Sequence, residues 1–215
     1  LRYPLIVFDW DGTIIDSAAT IVECIRQAAV DAGLPPPDPG RASHVIGLGL
    51  KDALRIAVPE LPPERYLEYV EHYRRHFLAR EDSMQLFGGM RELLAELAGR
   101  HRLAIATGKS RRGLDRALQA SGLAALFSAS RCADETSPKP HPAMLLEILD
   151  ELALQPADAL MIGDTSHDLE MAREAGVAAL AVTYGAHPEP ALAACGPLGC
   201  FPSVAELRAW LTRNA

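Results

Sequence analysis

Ile6-Val7-Phe8-Asp9-Trp10-Asp11-Gly12-Thr13 sends two carboxylates off the end of an apolar run and straight into a glycine turn. A short apolar run bounded by a turn signal reads as a buried parallel strand. In open α/β sheets ligands bind beyond the carboxyl ends of such strands. Alternation along extended chain sends Asp9 and Asp11 to one side and Trp10 to the other. Two like charges that close together are costly unless a cation relieves them. An EF-hand calcium loop counted from Asp9 needs glycine at its sixth position and glutamate at its twelfth, where the chain has Ile14 and Thr20. The pair is therefore either a solvated Asp-Gly turn or a site that shares a divalent cation or divides nucleophile and proton-transfer roles, and the rest of the chain has to decide.

Outward from this stretch, strand and helix patterns alternate, the signature of a parallel sheet flanked by helices. Asp16 or Ser17 can cap a helix running to about Asp31, with Gly33 placed to stop it. The rhythm then breaks at Leu34-Pro35-Pro36-Pro37-Asp38-Pro39-Gly40, and the segment 41–82 shows only helical periodicity. Strands resume at 102–107, 126–130, 159–163 and 177–182, with helices at about 89–99, 110–121, 142–152 and 166–175 between them. Ser203-x-x-Glu206 is a capping box for a last helix ending near Leu211. The expected fold is α/β, a Rossmann-like parallel sheet with an all-helical insertion after its first strand. Residues 1–16 and 83–215 would form the core and 17–82 the inserted unit.

Composition narrows the function. At 215 residues, 49% hydrophobic and 23% charged, the chain can bury a sizeable core. Cys24, Cys132, Cys195 and Cys200 contain no Cys-x-x-Cys pair, so neither a zinc site nor a disulfide framework is indicated. No apolar run is long enough to span a membrane, and Leu1-Arg2-Tyr3-Pro4 lacks a secretory apolar region, so the expectation is a cytoplasmic protein without a membrane partner. A net charge of −7 argues against nucleic acid as partner. Of 21 basic residues only Lys51, Lys109 and Lys139 are lysine. Lysine offers a compact point charge, where arginine offers a planar fork suited to bidentate partners.

The remaining strand ends carry the other polar clusters. Thr107-Gly108-Lys109-Ser110 is not a Walker loop, because Leu103 stands where its first glycine belongs; it offers a hydroxyl and backbone amides at a helix start, where anions are favoured. Gly47-Leu48-Gly49 fails the dinucleotide fingerprint at Asp52. Lys139-Pro140-His141-Pro142 is a stiff loop able to aim one ammonium. Gly163-Asp164-Thr165-Ser166-His167-Asp168 is a second acidic cluster, whose members can also serve as a helix cap. His141, His167 and His187 have no partners at metal-ligand spacing and read as surface or capping residues.

Asp-x-Asp-Gly-Thr, Thr-Gly-Lys, Lys-Pro and Gly-Asp-x-x-x-Asp, in that order and each at a strand end, resemble the four motifs of the haloacid dehalogenase superfamily. The likeness spans nearly the whole chain and is nearest to the phosphoglycolate-phosphatase-like branch. It implies magnesium-dependent hydrolysis of a small phosphorylated metabolite through an aspartyl-phosphate. Asp9 would be the nucleophile, and Asp11 would protonate the leaving oxygen and then take a proton from water. Thr107 and Lys139, with backbone amides near Gly12 and Gly108, would hold the phosphoryl group. Mg2+ would rest on Asp9, Asp164 and the Asp11 carbonyl, with Asp168 behind them. The segment 17–82 would be the cap that sets specificity through His44, Gly47, Gly49, Lys51 and Arg55. Asp11 separates this chemistry from that of haloalkanoate dehalogenases, which lack the second acid. A β-phosphoglucomutase-like transfer uses the same two acids, although Thr13 stands where those mutases commonly have valine. A phosphonate hydrolase with a cap lysine (Lys51) and a non-catalytic metal-binding protein are further alternatives.

Overall fold

The computed structural model describes residues 2–215. Strand β1 (Leu5–Phe8) is four apolar residues, all buried. It lies in the middle of a six-stranded, wholly parallel sheet of order β3-β2-β1-β4-β5-β6. The other strands are β2 (Arg102–Thr107), β3 (Ala129–Cys132), β4 (Ala159–Gly163), β5 (Ala178–Val182) and β6 (Cys200–Phe201). The chain builds outward from β1 on one side through β2 and β3, and on the other through β4, β5 and β6. The switch point, where crevices form in such sheets, therefore falls at the ends of β1 and β4. Asp9 continues that seam, its N–H donating to the Ile162 carbonyl at 2.9 Å.

Period-two alternation fills both faces of the sheet. Ile6, Phe8 and Trp10 belong to a core built with α5 (Met90–Ala98), α6 (Arg111–Ser121) and α10 (Val204–Asn214). Leu5 and Val7 pack instead with α7 (Ala143–Glu151) and α8 (Ser166–Glu174). With Trp10 buried in the first core, Asp9 and Asp11 are left to the opposite side, as the alternation requires.

Between β1 and α5 lie α1 (Ala18–Asp31), α2 (Pro39–His44), α3 (Leu50–Ala57) and α4 (Tyr66–Glu81). They share a third core, which includes Ile21, Cys24, Ile25, Ala28, Tyr69, Val70 and Phe77. The buried Tyr69 hydroxyl is satisfied by donating to the Ile25 carbonyl. The chain leaves and rejoins the sheet side by side: Asp16 N–H donates to Gln85 O at 2.9 Å and Phe87 N–H to Ile14 O at 3.1 Å. All four cysteines are free. Among the described residues no helix is long and apolar enough to cross a membrane.

Four sequence expectations shift. The third strand is Ala129–Cys132 rather than 126–130, because Ala124–Leu126 forms a 3-10 turn, with Leu123 buried in the sheet core and Leu126 and Phe127 packed against it. Apolarity there marks packing, not extended backbone. The two-residue β6 and the five-residue α9 (Glu189–Ala193) fall below the length at which periodicity is readable. Ser17 starts α1 without capping it; its hydroxyl is used elsewhere. The last helix runs past Leu211 to Asn214.

Candidate active site

Asp9 is buried to 1% exposure and meets Lys139, itself buried, at 2.8 Å between Oδ1 and Nζ. Asp9 Oδ2 has no hydrogen-bond partner among the described residues. The same Lys139 ammonium lies 2.6 Å from Asp168 Oδ1. Asp168 Oδ2 accepts from the Thr165 N–H and hydroxyl at 3.0 and 2.7 Å, the capping box that starts α8. One carboxylate thus both ends a helix and aims the lysine. Asp164 closes the group, its Oδ1 accepting the Thr13 hydroxyl and its Oδ2 the Ala186 N–H, each at 2.7 Å. Gly12 turns with φ +80°, and a Cβ there would collide with the Asp164 carboxylate, so the close approach needs glycine.

Charge explains what this cluster lacks. Burial, opposed by Lys139 and reinforced by Asp168 and Asp164, pushes the Asp9 carboxyl well above its ordinary range. Burial and the Asp168 charge push Asp164 up to about 7. Burial alone would depress the Lys139 ammonium, but Asp168 and Asp9 outweigh it and hold it above the usual lysine range. Three buried carboxylates face one ammonium, so ionising all three leaves two negative charges without a counter-charge. One oxygen from each of Asp9, Asp164 and Asp168 lies within 4.8 Å of the others. A divalent cation fits both the charge and the hard oxygen donors, and Asp9 Oδ2 is the donor without another use.

Asp11 faces a second, partly buried lysine. Lys109 Nζ lies 3.1 and 3.0 Å from Asp11 Oδ1 and Oδ2, and the Ser17 hydroxyl donates to Oδ1 at 2.8 Å. Thr107 is wholly buried and its hydroxyl accepts the Lys109 N–H at 3.2 Å. Gly108 is bare for a reason: a Cβ there would stand 2.5 Å from the Gly47 carbonyl oxygen and 2.7 Å from that of Leu48.

The loop after α2 is thus seated on the strand ends. A Cβ on Gly47 (φ +90°) would meet the Thr165 hydroxyl at 3.2 Å, and one on Gly49 would meet Pro138 at 3.2 Å. The Ser43 hydroxyl donates to Ala186 O at 2.8 Å. The His44 carbonyl lies 2.8 Å from His167 Nε2 and 3.0 Å from His187 Nε2. His187 Nδ1 accepts the Ser166 N–H at 3.0 Å, which makes Nε2 its donor. Burial lowers both imidazoles, His187 to about 4. His167 and His187 are therefore buried clasps, not the surface or capping residues expected; residues 44, 167 and 187 meet only through the fold. Lys51 and Arg55 face solvent, and Arg55 is 3.6 Å from Asp52.

Asp9, Thr107 and Asp164, dispersed over the sequence, are each buried at or just beyond a strand end, and Lys139 is buried in the loop between β3 and α7. The pattern of haloacid dehalogenase-like hydrolases matches residues 6–182. The chain belongs to that family. This haloacid dehalogenase-like hydrolase is 37% identical over 202 residues to the probable phosphatase IndB of Dickeya dadantii, covering 90% of this chain and 87% of the relative. It is 31% identical over 193 residues to a phosphoglycolate phosphatase of Synechococcus elongatus, covering 89% of each. A haloacid dehalogenase-like hydrolase from Streptococcus pneumoniae superposes with TM-score 0.83 at 27% identity over 98% of this chain and 99% of the other. The enzyme is a phosphatase of this family, whose members generally use a divalent metal.

Proposed function

We propose that the enzyme hydrolyses a small phosphate monoester, phosphoglycolate or a close analogue, with Mg2+ and through an aspartyl-phosphate on Asp9. The observation that carries this reading is the Asp9 carboxylate, buried, held at Oδ1 by Lys139 and unpartnered at Oδ2. A phosphate monoester repels nucleophiles, so charge has to be managed before attack. Mg2+, held by Asp9, Asp164 and the Asp11 carbonyl, supplies that neutralisation when bound.

Asp9 attacks phosphorus as the ester oxygen departs, and the phosphoryl group passes to the carboxylate. Lys139 and the Thr107 hydroxyl, with backbone N–H groups at Gly12 and Gly108, hold the three equatorial oxygens. Asp11 gives its proton to the departing oxygen, then takes one from the water that releases phosphate and restores Asp9. Asp168 aims Lys139 and holds the start of α8. The helices of 17–82 act as a cap, and its loop around His44, Gly47 and Gly49 roofs the phosphoryl site, with Lys51 and Arg55 at its outer side.

Relatives named as phosphoglycolate phosphatase, N-acetylmuramic acid 6-phosphate phosphatase and 5'-nucleotidase share only the phosphoryl group, so the panel that tests the reading spans these classes. Phosphate release should require Mg2+, be highest in kcat/KM for a small monoester, and vanish in Asp9→Asn. Metal-independent release, or release retained in Asp9→Asn, overturns it.

A further inference from the structure

Of the chain's three lysines, Lys139 is buried and Lys109 largely so, and each faces one aspartate of the opening pair. Lys139 is accounted for by the phosphoryl site. Lys109 touches no phosphoryl ligand in the scheme above, yet its side chain is only 10% exposed and its Nζ straddles both oxygens of Asp11. Its ammonium also lies 4.5 Å from the ring centroid of Phe77, on α4 of the helical unit. Phe77 is buried and stacks on Tyr73. The Lys109 N–H is meanwhile tied to Thr107.

We infer that Lys109 is a positioning residue for proton transfer: it fixes the Asp11 carboxylate between its ammonium and Ser17, and Phe77 fixes Lys109 in turn. An unrestrained carboxylate at a strand-end turn has several rotamers, and ordering it beforehand is what general acid-base catalysis needs. A cation over an aromatic face is held more firmly when desolvated, so a helix of the inserted unit contributes to the orientation of a core acid without touching it. Arginine's broad fork would not match a point contact to both oxygens beneath a ring.

This rests on the phosphatase reading, and leaving-group dependence separates the two. The p-nitrophenolate group departs without a proton, whereas an alkoxide needs one. Lys109→Met should lower kcat on phosphoglycolate about 10- to 100-fold and on p-nitrophenyl phosphate by under about 3-fold, with a smaller change in KM for either. Phe77→Leu, which keeps both charges, should move the ratio of the two kcat values in the same direction by about 2- to 5-fold. Lys109→Arg should restore part of the loss. Equal losses on both esters, or an unchanged ratio in both Lys109→Met and Phe77→Leu, overturn the inference while leaving wild-type hydrolysis intact. A wild type inactive on both esters overturns the phosphatase reading and this one together.

Discussion

Lys139 and Lys109 sit in opposite kinds of surroundings. Lys139 and Asp9 lie in loops that follow strands of one sheet, Asp168 lies in the first turn of α8, and the Lys139 side chain has no exposure. Lys109, with Asp11, Ser17 and Phe77, spans the seam between the sheet and the helices, and both partners of its ion pair retain about a tenth of their surface. The first arrangement draws its parts from the end of β1, the loop after β3 and the start of α8. The second is complete only when the helical unit is seated. Asp9 is therefore held by the sheet and the helix after β4, whereas the surroundings of Asp11 include a side chain of the helical unit.

That contrast breaks if the two lysines behave alike. Lys139→Met leaves Asp9 and Asp168 buried without a counter-charge. It should cost about 3–5 kcal/mol in urea unfolding, and at least ~10²-fold in kcat. Lys109→Met, at a pair that keeps about a tenth of its surface exposed and leaves Asp11 its Ser17 hydrogen bond, should cost less, about 1–3 kcal/mol; equal destabilisation would erase the distinction. Next in size, Gly108→Ala drives a methyl into two backbone carbonyls of the seated loop. Since a displacement of about 1 Å in positioning can cost ~10²-fold, kcat/KM should fall about 10- to 100-fold, mainly through KM, with the melting temperature of the sheet core little changed.

The smallest effect lies in the histidine clasp. His167 and His187 are held below the ordinary imidazole range, so the folded protein binds fewer protons than the unfolded chain as pH falls from about 6.5 toward 4. Stability is full above that window and lost on descending through it. Thermal melts between pH 7 and 4.5 should fall less steeply in His187→Gln than in wild type. An unchanged slope would remove these rings from the seam's acid response.

The sheet side of the site was legible because Asp9, Thr107 and Asp164 end or follow apolar strands, and because scarce lysines among many arginines pointed at positions 109 and 139. Asp9, Thr107 and Asp164 needed only strand ends to be placed. The seam was not legible. Ser17 reads as a helix cap until its hydroxyl is seen on Asp11, and Thr13 shows no sign of its bond to Asp164, 151 residues away. His44, His167 and His187 converge from three separate segments. Nor does the sequence show why Gly108 is bare: it is the space into which the loop after α2 fits. Polar contacts between distant segments leave no periodic trace, and neither does the Ala124–Leu126 turn, whose apolar neighbours imitate a strand.

The central claim is that Asp9 carries the phosphoryl group. Enzyme with Mg2+ is mixed with a 32P-labelled monoester, quenched in acid within milliseconds, and digested for peptide mapping. A transient, hydroxylamine-sensitive label is expected on the peptide containing Asp9, rising and decaying at rates consistent with turnover. Turnover with no protein-bound label at any quench time, or a label on another residue, would contradict it.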